Sequence, residues 1–309
     1  MAADPGAGLP GRVTRFTRFA AIDWSGEAVA RPKGLALAVA ETGDAAPRLI
    51  RPQGGWSRAD LAEWIAEQAG HDMLIGLDLS PAFPLLDMGA YFPGWHQSPP
   101  DARSLWALVD EIAADDMHLG TSSFVAHPEA TRHFRQRGKL GDLHPPGRGR
   151  LRLCEHGQRA MGLSPYSCFN LVGAAQVGKS SLTGMRVLHG LSDNVAIWPF
   201  DPLPTHGAVI VEIYTALAAR AAGVRRGISK LRDAASLDAA LAALGSAPHQ
   251  PLARYDDHAT DALLTAAWLR GAGHREELWQ PQGMSPHIAR TEGWTFGVPL
   301  LTGVSDNAG

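Results

Sequence analysis

An α/β fold built on a mixed sheet is what this 309-residue chain predicts, and three observations predict it. Three short apolar segments follow one another closely with turn residues between them, as in an antiparallel meander. Later apolar runs are separated from the meander by helix-spaced segments, as parallel strands flanked by helices require. Between these parts lies a long stretch with neither periodicity, which reads as an insertion. At 45% hydrophobic and 19% charged residues, the chain is able to bury a core of the size such a fold needs.

Residues 1–17 are rich in Gly, Ala, Pro and Arg and read as a flexible tail, with a second tail at 302–309. A single domain is expected over 18–301, carrying the insertion at about 85–194. Strands are predicted at 18–24, 34–41 and 47–51, with Ser25-Gly26, Pro32 and Gly43-Asp44 in the connections. Ser57 has the character of a helix N-cap; Leu61, Trp64, Ile65 and Gln68 recur at helical spacing, and Gly70 stops the helix. The apolar run 73–79 is a strand ended by Pro81 and Pro84. Residues 85–165 are irregular apart from a helix-like 101–115. Strands follow at 194–198 and 208–214, then helices at 215–223, 236–244 and 257–270, the last stopped by Gly271 and Gly273.

A net charge of −3 excludes an overall basic coat, so any contact with nucleic acid must come from a local patch. The two cysteines, Cys154 and Cys168, form neither a C-x-x-C pair nor a zinc quartet, which argues against a disulfide framework and fits a cytoplasmic location. No membrane partner is expected. The N-terminus lacks the apolar core of a leader, and the longest uncharged stretch, 160–178, is interrupted by Ser, Pro, Asn, Gln and Gly.

Four acids stand at the ends of apolar runs. Asp23 closes the first strand, Asp78 the fourth and Glu212 the last, while Asp261 sits inside the final helix. Burying an unpaired carboxylate costs several kcal/mol, so acids in such positions need a reason. For Asp23 and Asp78 a turn role is available, because Ser25-Gly26 and Ser80-Pro81 follow them. Glu212 has no breaker beside it; a solvent-facing strand residue is its plain reading. Asp256 or Asp257 is able to cap the last helix, but Asp261 lies a turn further in, on the stripe 257, 261, 264, 268 that faces the sheet. Mg²⁺ (or Mn²⁺) prefers oxygen donors, and two such ions about 3.5–4 Å apart promote phosphodiester cleavage when several carboxylates converge from different elements.

The order of the motifs Ala21-Ile22-Asp23-Trp24-Ser25-Gly26, Leu74-Ile75-Gly76-Leu77-Asp78, Ile210-Val211-Glu212-Ile213-Tyr214 and His258-Ala259-Thr260-Asp261-Ala262-Leu263 resembles the RNase H-like superfamily, RuvC-type resolvases in particular. With Trp198-Pro199-Phe200 it is similar to an uncharacterised family of predicted nucleases of that superfamily, over about residues 18–270. The resemblance implies that Asp23 bridges two metal ions, with Asp78 or Glu212 and Asp261 completing the site. RuvC-type enzymes carry an acid three residues before the last Asp; this chain has His258 there, with Asp257 one residue off. Either residue is a candidate ligand, and His258 is also a candidate for handling a proton.

Two further segments bear on phosphate. Residues 173–180 match G-x-x-x-x-G-K-[ST], which would make Lys179 a nucleotide contact if a strand led into the motif and a helix left it. Residues 130–160 hold eight Arg or Lys against two acids, a formal charge of +6. Arg132, Arg135, Arg137, Lys139, Arg148, Arg150 and Arg152 are therefore candidate contacts to nucleic-acid phosphates, DNA or RNA. A solvated loop is the alternative. Three function classes remain open: a metal-dependent nuclease, a P-loop nucleotide-binding protein, and a non-catalytic binding module of the same fold.

Overall fold

The computed structural model describes residues 15–173, 176–224 and 231–299. In chain order the elements begin with β1 (Arg18–Asp23), β2 (Ala36–Glu41), β3 (Arg48–Ile50), α1 (Arg58–Glu67) and β4 (Met73–Asp78). The middle of the chain contributes α2 (Ala102–Ile112), α3 (Ser122–Ala126), the two-residue strands β5 (Arg135–Gln136) and β6 (Lys139–Leu140), α4 (Leu153–Ala160) and α5 (Val177–Leu191). The last part holds β7 (Ala196–Trp198), β8 (Val209–Glu212), α6 (Thr215–Ala221), α7 (Ala234–Ala243), α8 (Asp257–Ala272), α9 (Glu276–Trp279) and α10 (Pro286–Thr291).

Six strands make one mixed sheet in the order β3-β2-β1-β4-β8-β7. The meander β1-β2-β3 is antiparallel; β4 joins β1 in parallel, β8 joins β4 in parallel, and β7 joins β8 in parallel. The expected α/β architecture with a mixed sheet is therefore present. Its central strands are apolar on both faces because both faces are covered. Ala20 and Ile22 of β1, Ile75 and Leu77 of β4 and Ile210 of β8 face a core shared with α1, α2 and α5. Phe19 and Ala21, Leu74, and Val209 and Val211 face the opposite core, shared with α6, α7 and α8.

The predicted helix start at Ser57 is a full capping box: Ser57 Oγ accepts from the Asp60 N–H at 3.0 Å, and Asp60 Oδ2 accepts from the Ser57 N–H at 3.1 Å. The 85–194 segment is more than an excursion from the sheet. Helix α5 lies within it and forms one wall of the core. Phe92, Phe124, Phe134 and Phe169 of the segment are fully buried with Phe83, which precedes it, and Phe83 and Phe169 stack at 4.5 Å between centroids. At roughly 1.5–3 kcal/mol for each buried Phe, this cluster ties the segment into the core that one face of the sheet shares with α1, α2 and α5.

The chain is anchored earlier than residue 18. Phe16 stacks on Trp279 at 5.6 Å, and the Thr17 N–H donates to the Asp72 carbonyl at 3.0 Å. Residues 1–14 and 300–309, including the tail expected at 302–309, lie outside the described residues. Among the described residues no helix is long and apolar enough to cross a membrane.

Candidate functional site

β1 and β4 run parallel and in register, so Asp23 and Asp78 are direct neighbours at the C-terminal end of the sheet. Alternation places both on the face that α8 covers, together with Phe19, Ala21 and Leu74. Helix α8 enters over this end. Its N-cap is Asp256, whose Oδ1 accepts from the Ala259 N–H at 2.9 Å. Capping is thus accounted for, and the next acids serve other ends. Asp257 Oδ1 lies 3.0 Å from Arg232 Nη2. His258 Nδ1 lies 2.8 Å from Asp23 Oδ2. Of the two candidates left open by the sequence, His258 is therefore the one that contacts Asp23.

The electrostatics of the cluster follow from crowding. Burial and the charges of Asp23 and Asp261 push the Asp78 carboxyl well above the usual carboxylate range; a Thr215 N–H opposes this and the Glu212 charge adds to it. Burial also raises Asp23, opposed by the hydrogen bond and charge of His258 and reinforced by Asp256 and Asp257. The Asp23 hydrogen bond in turn raises His258, against a smaller lowering by burial. Asp78 thus senses Asp23, Asp261 and Glu212, the other three acids that the sequence singled out.

Glu212 is placed differently. It is 6% exposed, and Arg152 holds it bidentately, Nη2 to Oε1 at 2.5 Å and Nη1 to Oε2 at 2.8 Å. The Thr295 hydroxyl donates to Oε1 at 2.7 Å. The same guanidinium donates through Nε to Glu155 Oε1 at 3.1 Å and through Nη1 to the Glu292 carbonyl at 3.0 Å. Glu212 is the anionic half of a buried ion pair, although it lines the same cleft as Asp78, and Arg152 is fully buried against it rather than open to a phosphate. Sequence spacing hints at part of this, since Arg152 and Glu155 stand one helical turn apart. Glu212 lies 60 residues from Arg152, beyond any local signal.

The basic segment divides in two. Arg150 is 5% exposed; it pairs with Asp87 at 2.6 Å and donates to the carbonyls of Pro84, Ala90 and Tyr91. Arg150 and Arg152 therefore bind the insertion to the core and leave the phosphate-contact group. Arg132 is held by Asp142 at 2.8 Å. Arg135, Arg137, Lys139 and Arg148 are exposed, as the sequence reading requires of them.

The P-loop match begins α5. Among the described residues of 164–173 there is no strand, only an isolated bridge between Arg135 and Asn170. Ala174 and Ala175, in the middle of the motif, lie outside the described residues. Gly178 packs so closely that a Cβ there would sit 2.1 Å from the Cys168 carbonyl oxygen. Lys179 is exposed and lines a groove beside Arg137 and Gln136. What α5 does at the site is mechanical. Trp24 Nε1 donates to Thr183 Oγ1 at 3.1 Å, and a Cβ on Gly26 would fall 2.2 Å from the Lys179 carbonyl carbon. The segment after β1 is zipped onto the first turn of α5, and Gly26 permits that approach.

A cleft of about 220 Å³ opens beside Asp78, lined also by Trp24, Ser80, Tyr166, Ser180 and Tyr214. Ser80 entered the sequence reading only as a turn residue, and Tyr166 not at all, because a single polar residue in an irregular segment carries no pattern. Oxygen donors from three elements crowded at one sheet end are the donor chemistry that a hard divalent cation takes. Among the described residues, however, no group of three or more His, Cys, Asp or Glu side chains is already gathered to hold a metal ion. Comparison with protein-family models, curated proteins and solved structures finds no match for this chain.

Proposed function

We propose that the chain is a divalent-cation-dependent phosphodiesterase acting on nucleic acid, built on an RNase H-like frame. The observation that carries this reading is the crowding at Asp78. A half-buried carboxyl in register with Asp23 is pushed well upward by burial and by the charges of Asp23 and Asp261. Such a concentration of negative charge is relieved by a bound cation. Support for the frame comes from the meander followed by parallel strands, with acids ending the first and fourth strands and a third on the last long helix.

Asp23, Asp78 and Asp261 would hold Mg²⁺ or Mn²⁺. A divalent cation bound there would supply an activated water and neutralise charge on the phosphoryl and leaving oxygens. His258 fixes the Asp23 carboxylate through the 2.8 Å contact and would take or return a proton during hydrolysis. Arg152 holds the Glu212 charge in a fixed pair beside the site, where that charge still adds to the upward push on Asp78, after burial and the charges of Asp23 and Asp261.

Asp23→Asn is expected to lower Mg²⁺- or Mn²⁺-dependent cleavage of single-stranded and duplex DNA and RNA by at least about 100-fold, the scale at which charge-stabilising groups act. Cleavage by the variant at the wild-type rate would remove the assignment. Nucleic-acid binding without cleavage under either cation would replace it with a non-catalytic binding module.

A further inference from the structure

The cleft beside Asp78 says something about the substrate that the carboxylates do not. Its volume, about 220 Å³, lies below the roughly 300–1,000 Å³ of ordinary small-molecule sites, so it admits a single base-sized group and no stacked base pair. Three of its lining residues are aromatic: Trp24, Tyr166 and Tyr214. Trp24 is buried and its indole N–H is committed to Thr183. Tyr166 is 44% exposed, an unusual position for a large ring in a protein that buries most of its aromatics. The guanidinium of Arg148, itself exposed, lies over the Tyr166 ring at 5.5 Å from its centroid. Tyr214 senses the charges of Asp78, Tyr166 and Arg148, which places these groups in one neighbourhood; burial and the Asp78 charge push its hydroxyl up to about 12. An exposed ring with a cation beside it, next to the acids, is the chemistry of a base-stacking platform with a phosphate contact.

We propose that this protein takes single-stranded nucleic acid, with one unpaired base entering the cleft and stacking on Tyr166 while Arg148 contacts an adjacent phosphate. The proposal rests on the nuclease reading for its location beside the acids, but its binding chemistry is independent of cleavage. A base inside a duplex already has both faces stacked and cannot reach Tyr166 without being extruded. The chain also provides a path beyond the cleft. Pro145 and Pro146 flank Arg148 on one side and, on the other, line a groove with Arg135, Arg137, Lys139 and His144. His144, 9% exposed, joins this groove to Pro145.

The test is fluorescence anisotropy of the full chain in EDTA with a labelled single-stranded 12-mer, as DNA and as RNA, against the matching duplex. The single strand is expected to bind at least about 10-fold more tightly than the duplex. Tyr166→Ala should weaken single-strand binding by about 5- to 100-fold, and Tyr166→Trp should retain it. Arg148→Ala should weaken it and reduce the salt slope by about one. Equal affinity for duplex, no binding of either form, or an unchanged Tyr166→Ala would each overturn the proposal. Because metal is absent, Tyr166-dependent strand binding without cleavage in Mg²⁺ or Mn²⁺ defeats the nuclease reading alone. Asp23-dependent cleavage with a duplex preference defeats the single-strand proposal alone.

Discussion

Asp78→Asn is expected to raise the thermal stability of the metal-free protein at neutral pH. The Asp78 carboxyl is raised well above its ordinary value by burial and by the charges of Asp23 and Asp261. A group whose folded pKa lies above its unfolded value contributes stability that is complete below the unfolded pKa and lost as pH rises through the folded pKa. As pH rises above the ordinary carboxylate range, keeping this carboxyl in the folded site therefore costs stability, and the neutral amide removes that cost. A gain of about 1–3 kcal/mol is expected, the scale of a buried polar group's desolvation, or about 2–4 °C in Tm for each kcal/mol. The gain should shrink toward pH 4, where the folded and unfolded forms of wild type approach the same protonation state. Thermal melts of both proteins from pH 4 to pH 8 in EDTA measure it. A variant less stable than wild type across this range would mean that Asp78 is a structural hydrogen-bonding residue rather than a strained functional acid. Stability gained by neutralising a site residue is a common mark of function maintained against stability.

Arg152→Met is expected to be the most damaging single change at the site. Arg152 is fully buried and holds Glu212 and Glu155, both also buried. Removing the cation leaves two carboxylates without their countercharge, and breaking a buried pair costs about 3–5 kcal/mol. A fall in Tm on the order of 10 °C follows at the 2–4 °C per kcal/mol of large domains. The double variant Arg152→Met/Glu212→Gln should recover a large part of the loss, because Glu155 retains the backbone N–H of residue 152 at 2.9 Å and the Ser80 hydroxyl at 3.3 Å. Urea unfolding of the two single variants and the double variant gives the coupling. Additive losses would show that Arg152 acts through packing and not through the Glu212 charge.

The sheet was legible because its central strands are apolar on both faces and end at recognisable breakers. Asp23, Asp78 and Asp261 were legible for the same reason, since acids interrupt those patterns. The choice between Asp257 and His258 needed the helix cap: once Asp256 is the cap, His258 is the residue on Asp23. Arg150 and Arg152 misled because composition counts charge without direction. A basic run in an irregular segment looks the same whether its guanidiniums face water or carboxylates that arrive from 60 residues away, as Glu212 does. Helix α5 was legible as the helix that leaves the phosphate motif, but its contacts with Trp24 and Gly26 join residues more than 150 positions apart and leave no local signal. The Tyr166 platform had no signal in the sequence, because exposure and proximity to Asp78 are properties of the folded chain only.

The most direct test of the central claim is calorimetric titration of Mn²⁺ into wild type and Asp78→Asn at pH 8. Saturable Mn²⁺ binding to wild type is expected, strengthening with rising pH, because a raised carboxyl must lose its proton to coordinate. Binding should be absent in Asp78→Asn, which remains folded. Equal Mn²⁺ binding by the two proteins, or none by wild type, would contradict the account.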